Sequence, residues 1–178
     1  MSDEISIASL HSRVERLEAE RAIRNVMARY VSLCDRLDES TPMDELTALF
    51  TRDAIWTGKG SRYQAAFGEN RGRAAIAEML GKYRGPPPHF ALNAHFLTSE
   101  AIDATNSPAI GTWMMLQTST YSDGTSDLRC AWLNVQFAFE DARWRIRRFE
   151  TENIFVRPVD RWNDRTDLSL PGSLRLGE

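Results

Sequence analysis

Apolar residues recur at Ala22, Ile23, Val26, Met27, Tyr30, Leu33, Cys34 and Leu37, every three or four positions, which is the period of one helix face. Arg24, Asn25, Arg29, Ser32 and Arg36 fill the opposite side. The pattern predicts a long amphipathic helix from about Arg13 to the mid-thirties, laid on a hydrophobic surface. Ser12 and Glu15 have the spacing of a capping box at its start, and Arg16, Glu20 and Arg24 form a ladder along its outside. Residues 1–11 read as a loose lead-in or a first turn. Thr41-Pro42-Met43-Asp44 predicts a second helix, with threonine as N-cap and proline at its first position. Asp53 to Thr57 reads as a short strand, with Gly58, Gly60 and Gly68 marking a loop. Arg73 to Tyr83 reads as a third helix.

After Gly85-Pro86-Pro87-Pro88 the period changes to two. Residues 89–103, 110–121, 128–139 and 144–155 then read as the strands of an antiparallel meander, with turns at Ser107-Pro108, Ser122-Asp123-Gly124 and Asp141-Ala142. Helices first and strands afterwards make an α+β plan in a single domain. In a straight first strand, His89, Ala91, Asn93, His95, Leu97 and Ser99 share one face. The two imidazoles then stand roughly 20 Å apart, too far to ligate one metal. Helices can cover only one face of the sheet, so a second face carrying Trp132 or Phe137 predicts a homodimer or homotrimer.

Composition narrows the classes. Lys plus Arg is 22 against 25 for Asp plus Glu, a formal charge of -3, which gives no electrostatic argument for nucleic acid or an anionic membrane. No apolar run reaches membrane-spanning length. The acidic, polar start and two cysteines without a CxxC spacing predict reduced thiols in a cytoplasmic protein. There is no GxGxxG, Walker loop, GxSxG or HExxH. Chemistry on side chains alone, without cofactor or metal, is the expectation.

Several phrases, in their order, resemble the NTF2-like superfamily and its SnoaL-like group. AIRNVMARYVSLCDRLD resembles that group's first helix, which often ends Tyr-x-x-x-x-Asp. DAIWTGKG resembles its first strand, and GRAAIAEML its third helix. HFLTSEAI followed by AIGTW resembles its central hairpin, with Ser99 where asparagine is common, and WRIRRFE its last strand. The resemblance implies an NTF2-like cone: three N-terminal helices packed on a strongly curved, mainly antiparallel sheet, spanning residues 1–156. Residues 157–178 then form a tail available to cover the pocket or a subunit interface.

The scytalone dehydratase, hexachlorocyclohexane dehydrochlorinase and bile-acid dehydratase branch pairs an Asp on the first helix with a His on the central strand. Those positions match Asp35 and His95 here, and Tyr30 matches an assisting tyrosine. The duplicated phrase, His89-Phe90 and His95-Phe96, leaves His89 as an alternative base. On an ideal helix Tyr30 and Asp35 lie about 140° apart, so both reach one pocket only if the helix loosens near Leu33. Trp56, His89, Asn93, Ser99, Trp113 and Arg129 are the expected substrate contacts.

What the resemblance implies is a cofactor-independent lyase acting on a small hydrophobic or aromatic substrate. It would eliminate water or halide, or lose a carbon fragment such as formaldehyde by a retro-aldol step. The alternatives are a ketosteroid-type isomerase or cyclase, with Asp35 as base and no need of a histidine, and a non-catalytic small subunit of an aromatic-ring dioxygenase.

Overall fold

The computed structural model describes residues 6–160. The chain opens with α1 (Ile7–Cys34), α2 (Met43–Ala48), β1 (Phe50–Lys59), α3 (Gly60–Phe67), β2 (Glu69–Arg71) and α4 (Gly72–Gly81). Four long strands follow: β3 (Phe90–Asp103), β4 (Ala109–Tyr121), β5 (Ser126–Glu140) and β6 (Arg143–Pro158). The expected tail lies almost wholly outside the described residues; β6 itself continues to Pro158.

α1 starts earlier than its apolar stripe. Its N-cap is Ser6, whose hydroxyl accepts the Ser9 amide at 3.1 Å, so Ser12 sits inside the helix and caps nothing. The first turns carry exposed Ile7, Leu10, Val14 and Leu17, a part of the helix with no core to face. From Ile23 on, the predicted stripe is the buried face: Ile23, Met27, Tyr30, Leu33 and Cys34. α2 is capped differently from the sequence expectation. Pro42 occupies the N-cap, and the Thr41 hydroxyl instead donates to the Arg36 carbonyl at 2.7 Å and accepts the Asp38 amide at 2.9 Å. Threonine here closes the α1–α2 loop.

The stretch read as a glycine-marked loop holds a fourth helix, α3. Eight residues are too few for an apolar period to show, and the glycines serve its packing. A Cβ on Gly58 would stand 2.3 Å from the Tyr63 carbonyl oxygen, so only glycine lets β1 run under α3.

The six strands form one sheet in the order β2-β1-β6-β5-β4-β3. All neighbours are antiparallel except β1 and β6, which are parallel. Register shifts interrupt β3 between Phe90 and Leu92 and again between Thr98 and Ala101, and β5 against β6 twice. Such bulges bend strands and increase twist, and the sheet curves around α1. The core lies in that concavity, with Ile23, Phe50, Ile76, Trp113, Phe137 and Ile146 at 1 % exposure or less. Phe137 therefore belongs to the core, not to the second face; Trp132, half-exposed, occupies that face with Phe96 and Ile110. Phe139 continues the strand past the core and packs edge-on against Trp144.

Candidate active site

α1 ends where its chemistry begins. The Asp35 amide still bonds to the Val31 carbonyl at 2.8 Å, but the Arg36 amide turns to Leu33, three residues back, at 3.3 Å. This tightened last turn leaves Asp35 as C-cap and swings its side chain towards β3. There one carboxylate oxygen, Oδ1, takes two bonds from one residue: the His95 backbone amide at 3.0 Å and the His95 ring Nδ1 at 2.6 Å. A carboxylate accepting from Nδ1 fixes the tautomer with its lone pair on Nε2. Nε2 has no hydrogen-bond partner among the described residues.

His95 lines a cavity of about 120 Å³ between α1 and the concave face of the sheet. Tyr30, Trp56, Phe67, Tyr83, Phe90 and Phe149 supply its aromatic wall. Trp56 stacks on Phe149 with ring centroids 5.5 Å apart, and its indole Nε1 donates to the Tyr30 hydroxyl at 3.0 Å. That hydroxyl in turn faces the Cys34 thiol. Burial pushes the Tyr30 phenol well above its ordinary range, with the neighbouring thiol adding to it. Tyr30 therefore stays protonated: its oxygen accepts the Trp56 indole, and its own proton remains to be donated. Burial also pushes the Cys34 thiol up to about 12, so it is no nucleophile near neutral pH.

The cavity floor is a grid set by strand register. His95 pairs with Gln117, and Gln117 with Arg129; one step along, Asn93 pairs with Ser119, and Ser119 with Asp127. Asn93 donates to the Cys34 carbonyl at 3.3 Å, and its Oδ1 accepts Gln117 Nε2 and the Ser119 hydroxyl, each at 2.8 Å. It ties the end of α1 to the sheet beside the histidine. Arg129 donates from Nε and Nη2 to Asp127 Oδ2 at 2.9 and 2.8 Å, and from Nη2 to the Tyr121 hydroxyl. Burial works against this guanidinium more than any other single effect, but the Asp127 bonds together with the charges of Tyr121, Asp127 and Tyr63 outweigh it and hold its charge more firmly.

Asp35, His95, Tyr30, Trp56, Asn93 and Arg129 are thus brought together in or against one cavity, while three expected contacts lie elsewhere. The bulge after Phe90 reverses the alternation, so Phe90 enters the lining and His89 leaves it. His89 instead sits in a ring cluster with Tyr83, Phe90 and Tyr121, its pKa lowered by burial and by the charge of Arg129. Ser99 is on the second bulge with a φ of 51° and is exposed. Trp113 is core: its indole donates to Glu100 Oε2 at 3.1 Å, and its ring fills the space over Gly111, where a Cβ would approach it to 2.3 Å.

Sequence reasoning missed Gln117 and Thr151. Gln117 could have been found from its position opposite His95 in the hairpin. Thr151 sits on the polar-looking phrase Glu150-Thr151-Glu152, which carries no signal. Its hydroxyl is buried, lines the cavity and has no hydrogen-bond partner among the described residues. No three His, Cys, Asp or Glu side chains among the described residues come together as metal ligands. No described helix is long and apolar enough to cross a membrane.

The curved sheet wrapped on a long N-terminal helix is the architecture of the NTF2-like α+β cones. Within that class the chain belongs to the SnoaL-like family, whose domain model matches residues 15–150. Among solved structures it is similar to a hexachlorocyclohexane dehydrochlorinase from Novosphingobium barchaimii LL02, at 16 % identity and a TM-score of 0.68 over 89 % of this chain and 99 % of that one. It is also similar to a provisionally designated scytalone dehydratase from Novosphingobium aromaticivorans DSM 12444, at 20 % identity and 0.66 over 80 % and 89 %. An NTF2-like protein with a cystatin-like fold from Novosphingobium aromaticivorans DSM shares 23 % identity and 0.64 over 86 % and 92 %. Likeness at these identities establishes the fold. No protein of curated function matches the sequence significantly.

Proposed function

We propose that the chain is a cofactor-independent lyase acting on an aromatic or alicyclic small molecule, with His95 as the base. The observation that carries this reading is the double grip of Asp35 Oδ1 on His95, at the wall of an apolar cavity. The carboxylate orients the ring and stabilises the imidazolium that forms when Nε2 takes a proton. In an elimination, the C–H electron pair becomes the new double bond, and the neighbouring C–halogen pair departs as halide, or the C–O pair departs on an oxygen that takes a proton back from the His95 imidazolium and leaves as water. In a retro-aldol loss, His95 takes a hydroxyl proton, the C–C bond breaks to release an aldehyde such as formaldehyde, and the carbanion left behind is reprotonated. Tyr30, held protonated by burial, donates to the oxygen where charge collects. A dehydrochlorinase and a designated dehydratase among the structural neighbours support this class of chemistry.

The test is a screen of the purified protein against aromatic diols, alcohols and halides, following a new conjugated ultraviolet band, with His95→Ala beside it. Turnover that disappears in His95→Ala supports the lyase. Full activity in His95→Ala, with loss in Asp35→Asn, moves the function to an isomerase whose base is Asp35.

The outer face of the sheet extends the proposal to a homo-oligomer in solution. Phe96, Leu116, Cys130 and Phe155 fall in one row across β3 to β6, next to Trp132. Phe96 and Trp132 are 52 % and 49 % exposed, and a second copy of the same row is a matching apolar partner. Light scattering should give a dimer or trimer at micromolar concentration, and a monomer would remove the basis for it.

A further inference from the structure

Arg129 is the one guanidinium in the lining of this cavity among the described residues, and deprotonation by His95 does not use it. We propose that the substrate carries an anionic oxygen group, a carboxylate or phenolate, which docks on Arg129 while the carbon or hydroxyl to be deprotonated faces His95. The inference rests on reading this cavity as the substrate site.

Three features support it. The first is position. His95, Gln117 and Arg129 form one row across β3, β4 and β5, so the backbones of base and guanidinium are two strand spacings apart, about 10 Å. A one- or two-ring acid fits between them with its acidic group at one end and its reacting atom at the other.

The second is preorganisation. Asp127 accepts from Nε and Nη2, and Tyr121 stands against Nη2, so the fork is fixed in place. Nη1 makes no hydrogen bond among the described residues, which leaves an end of the fork for a second anion. The side chain is 24 % exposed and Asp127 11 %, so the charge acts in a partly desolvated wall where it is weakly screened.

The third is the field. Asp127 formally neutralises Arg129, yet the pair is not silent across the cavity. At Tyr63 the positive charge of Arg129 outweighs the opposing charge of Asp127, at His89 it exceeds that of Asp123 or of Asp127 taken singly, and at Tyr83 it exceeds the opposing effect of Tyr63. The positive charge of Arg129 is thus felt at Tyr63 and Tyr83 in the cavity lining, while the other described lining residues are apolar or neutral apart from His95. A neutral hydrocarbon has no use for such a device; an aryl acid does.

The experiment is calorimetric titration of the wild-type protein with benzoate and 2-naphthoate, each against its neutral amide, and with 4-nitrophenol above and below its own ionisation. An anion on the guanidinium should bind about tenfold tighter than its neutral counterpart. In Arg129→Gln the preference should fall to less than about twofold, and Arg129→Lys should recover part of it. Because Arg129→Gln leaves a buried carboxylate unpaired, the double variant Arg129→Gln/Asp127→Asn provides a second, electrically neutral version. An advantage for either anion that depends on Arg129 supports the proposal and shows which oxygen group is taken. Equal binding of anion and neutral analogue in the wild type, or a preference that survives in both Arg129→Gln and Arg129→Gln/Asp127→Asn, overturns it. The readout is binding alone, so it is separate from the lyase reading: Asp35→Asn should keep the anion preference whatever becomes of turnover.

Discussion

Two carboxylates each hold a nitrogen group at the cavity wall, and they do so to different ends. Asp35 comes from a helix end and grips His95 through one oxygen, taking the ring Nδ1 and the backbone amide of the same residue. Asp127 comes from the same strand as its partner, two residues before Arg129, and takes Nε and Nη2 of a fork. Histidine can lose and regain its proton near neutral pH, whereas arginine keeps its charge throughout. The first pair is suited to moving a proton and the second to holding a fixed charge. The same acceptor chemistry thus yields a proton-transfer station and an anchor, according to which base it holds.

The comparison breaks most visibly at the first pair. His95→Ala should lower kcat by about 10² to 10⁴, with the cavity and fold intact by circular dichroism. Asp35→Asn should lose a similar amount, because an amide at that position stabilises no imidazolium and permits the wrong tautomer. The double variant should be little worse than either single one, since the two act as a unit. Steady-state rates on any substrate found by the screen decide this; additive losses would show that the residues do not share a step.

At the second pair the effect should be smaller and of another kind. Asp127→Asn removes the carboxylate that fixes Arg129, so the guanidinium gains freedom and must be ordered by the substrate. The expected outcome is KM raised by roughly tenfold with kcat changed by less than about threefold, since the interaction is a binding one. A fall in kcat alone would place Arg129 in the chemical step and erase the distinction between the two pairs.

How far the sequence could be read depends on the same strand. Along β3 the alternation is regular from Leu92 to Thr98, and the sequence reading placed Asn93 and His95 on one face, where they do meet the end of α1. It failed at both ends of the strand for one reason. Each bulge shifts the side-chain parity by one residue, which exchanged His89 for Phe90 and turned Ser99 outward. Bulges leave no mark in a hydrophobic pattern, because the alternation resumes on either side of them. The helix stripe was legible because it spans four turns; α3 was not, because it spans barely two. Trp113 looked like a pocket residue by its aromatic character, and only the bare Cα of Gly111 beneath it shows that the ring is filling core.

The same cavity wall holds Tyr30, the donor proposed to serve the first pair. Tyr30→Phe keeps the ring contacts with Phe50 and Phe149 but leaves the Trp56 indole N–H without its acceptor. A loss of about tenfold in kcat is expected, with a stability cost of about 1 kcal/mol from the buried donor left unpaired. Denaturant melts beside kinetics separate the two, and a stability loss with unchanged kcat would make Tyr30 a packing residue.

The smallest effect at neutral pH comes from the thiol beside Asp35, and it grows only in alkali. Burial raises the Cys34 thiol from 9.0 to about 12 in the folded protein, the Tyr30 hydrogen bond offsetting part of that rise. The folded state then holds its proton where the unfolded chain has already lost it. Stability from this group is complete below the unfolded value and declines as pH rises through the window from 9.0 to about 12. Tyr30, also raised by burial, adds a decline of the same sign beginning at its own unfolded value of 10.0. Each tenfold difference in proton affinity between the folded and unfolded chain is worth about 1.4 kcal/mol, so the decline is large enough to measure. Urea melts of the wild type should therefore show midpoints falling steadily above pH 9, and Cys34→Ala should flatten the first part of that fall while leaving the later part to Tyr30. Asp35 beside the thiol sharpens the expectation, because a second negative charge at Cys34 would lie next to a carboxylate already holding His95. An identical alkaline slope in the wild type and Cys34→Ala would mean that the thiol loses its proton at the same pH in the folded and unfolded chain, so that burial does not hold it.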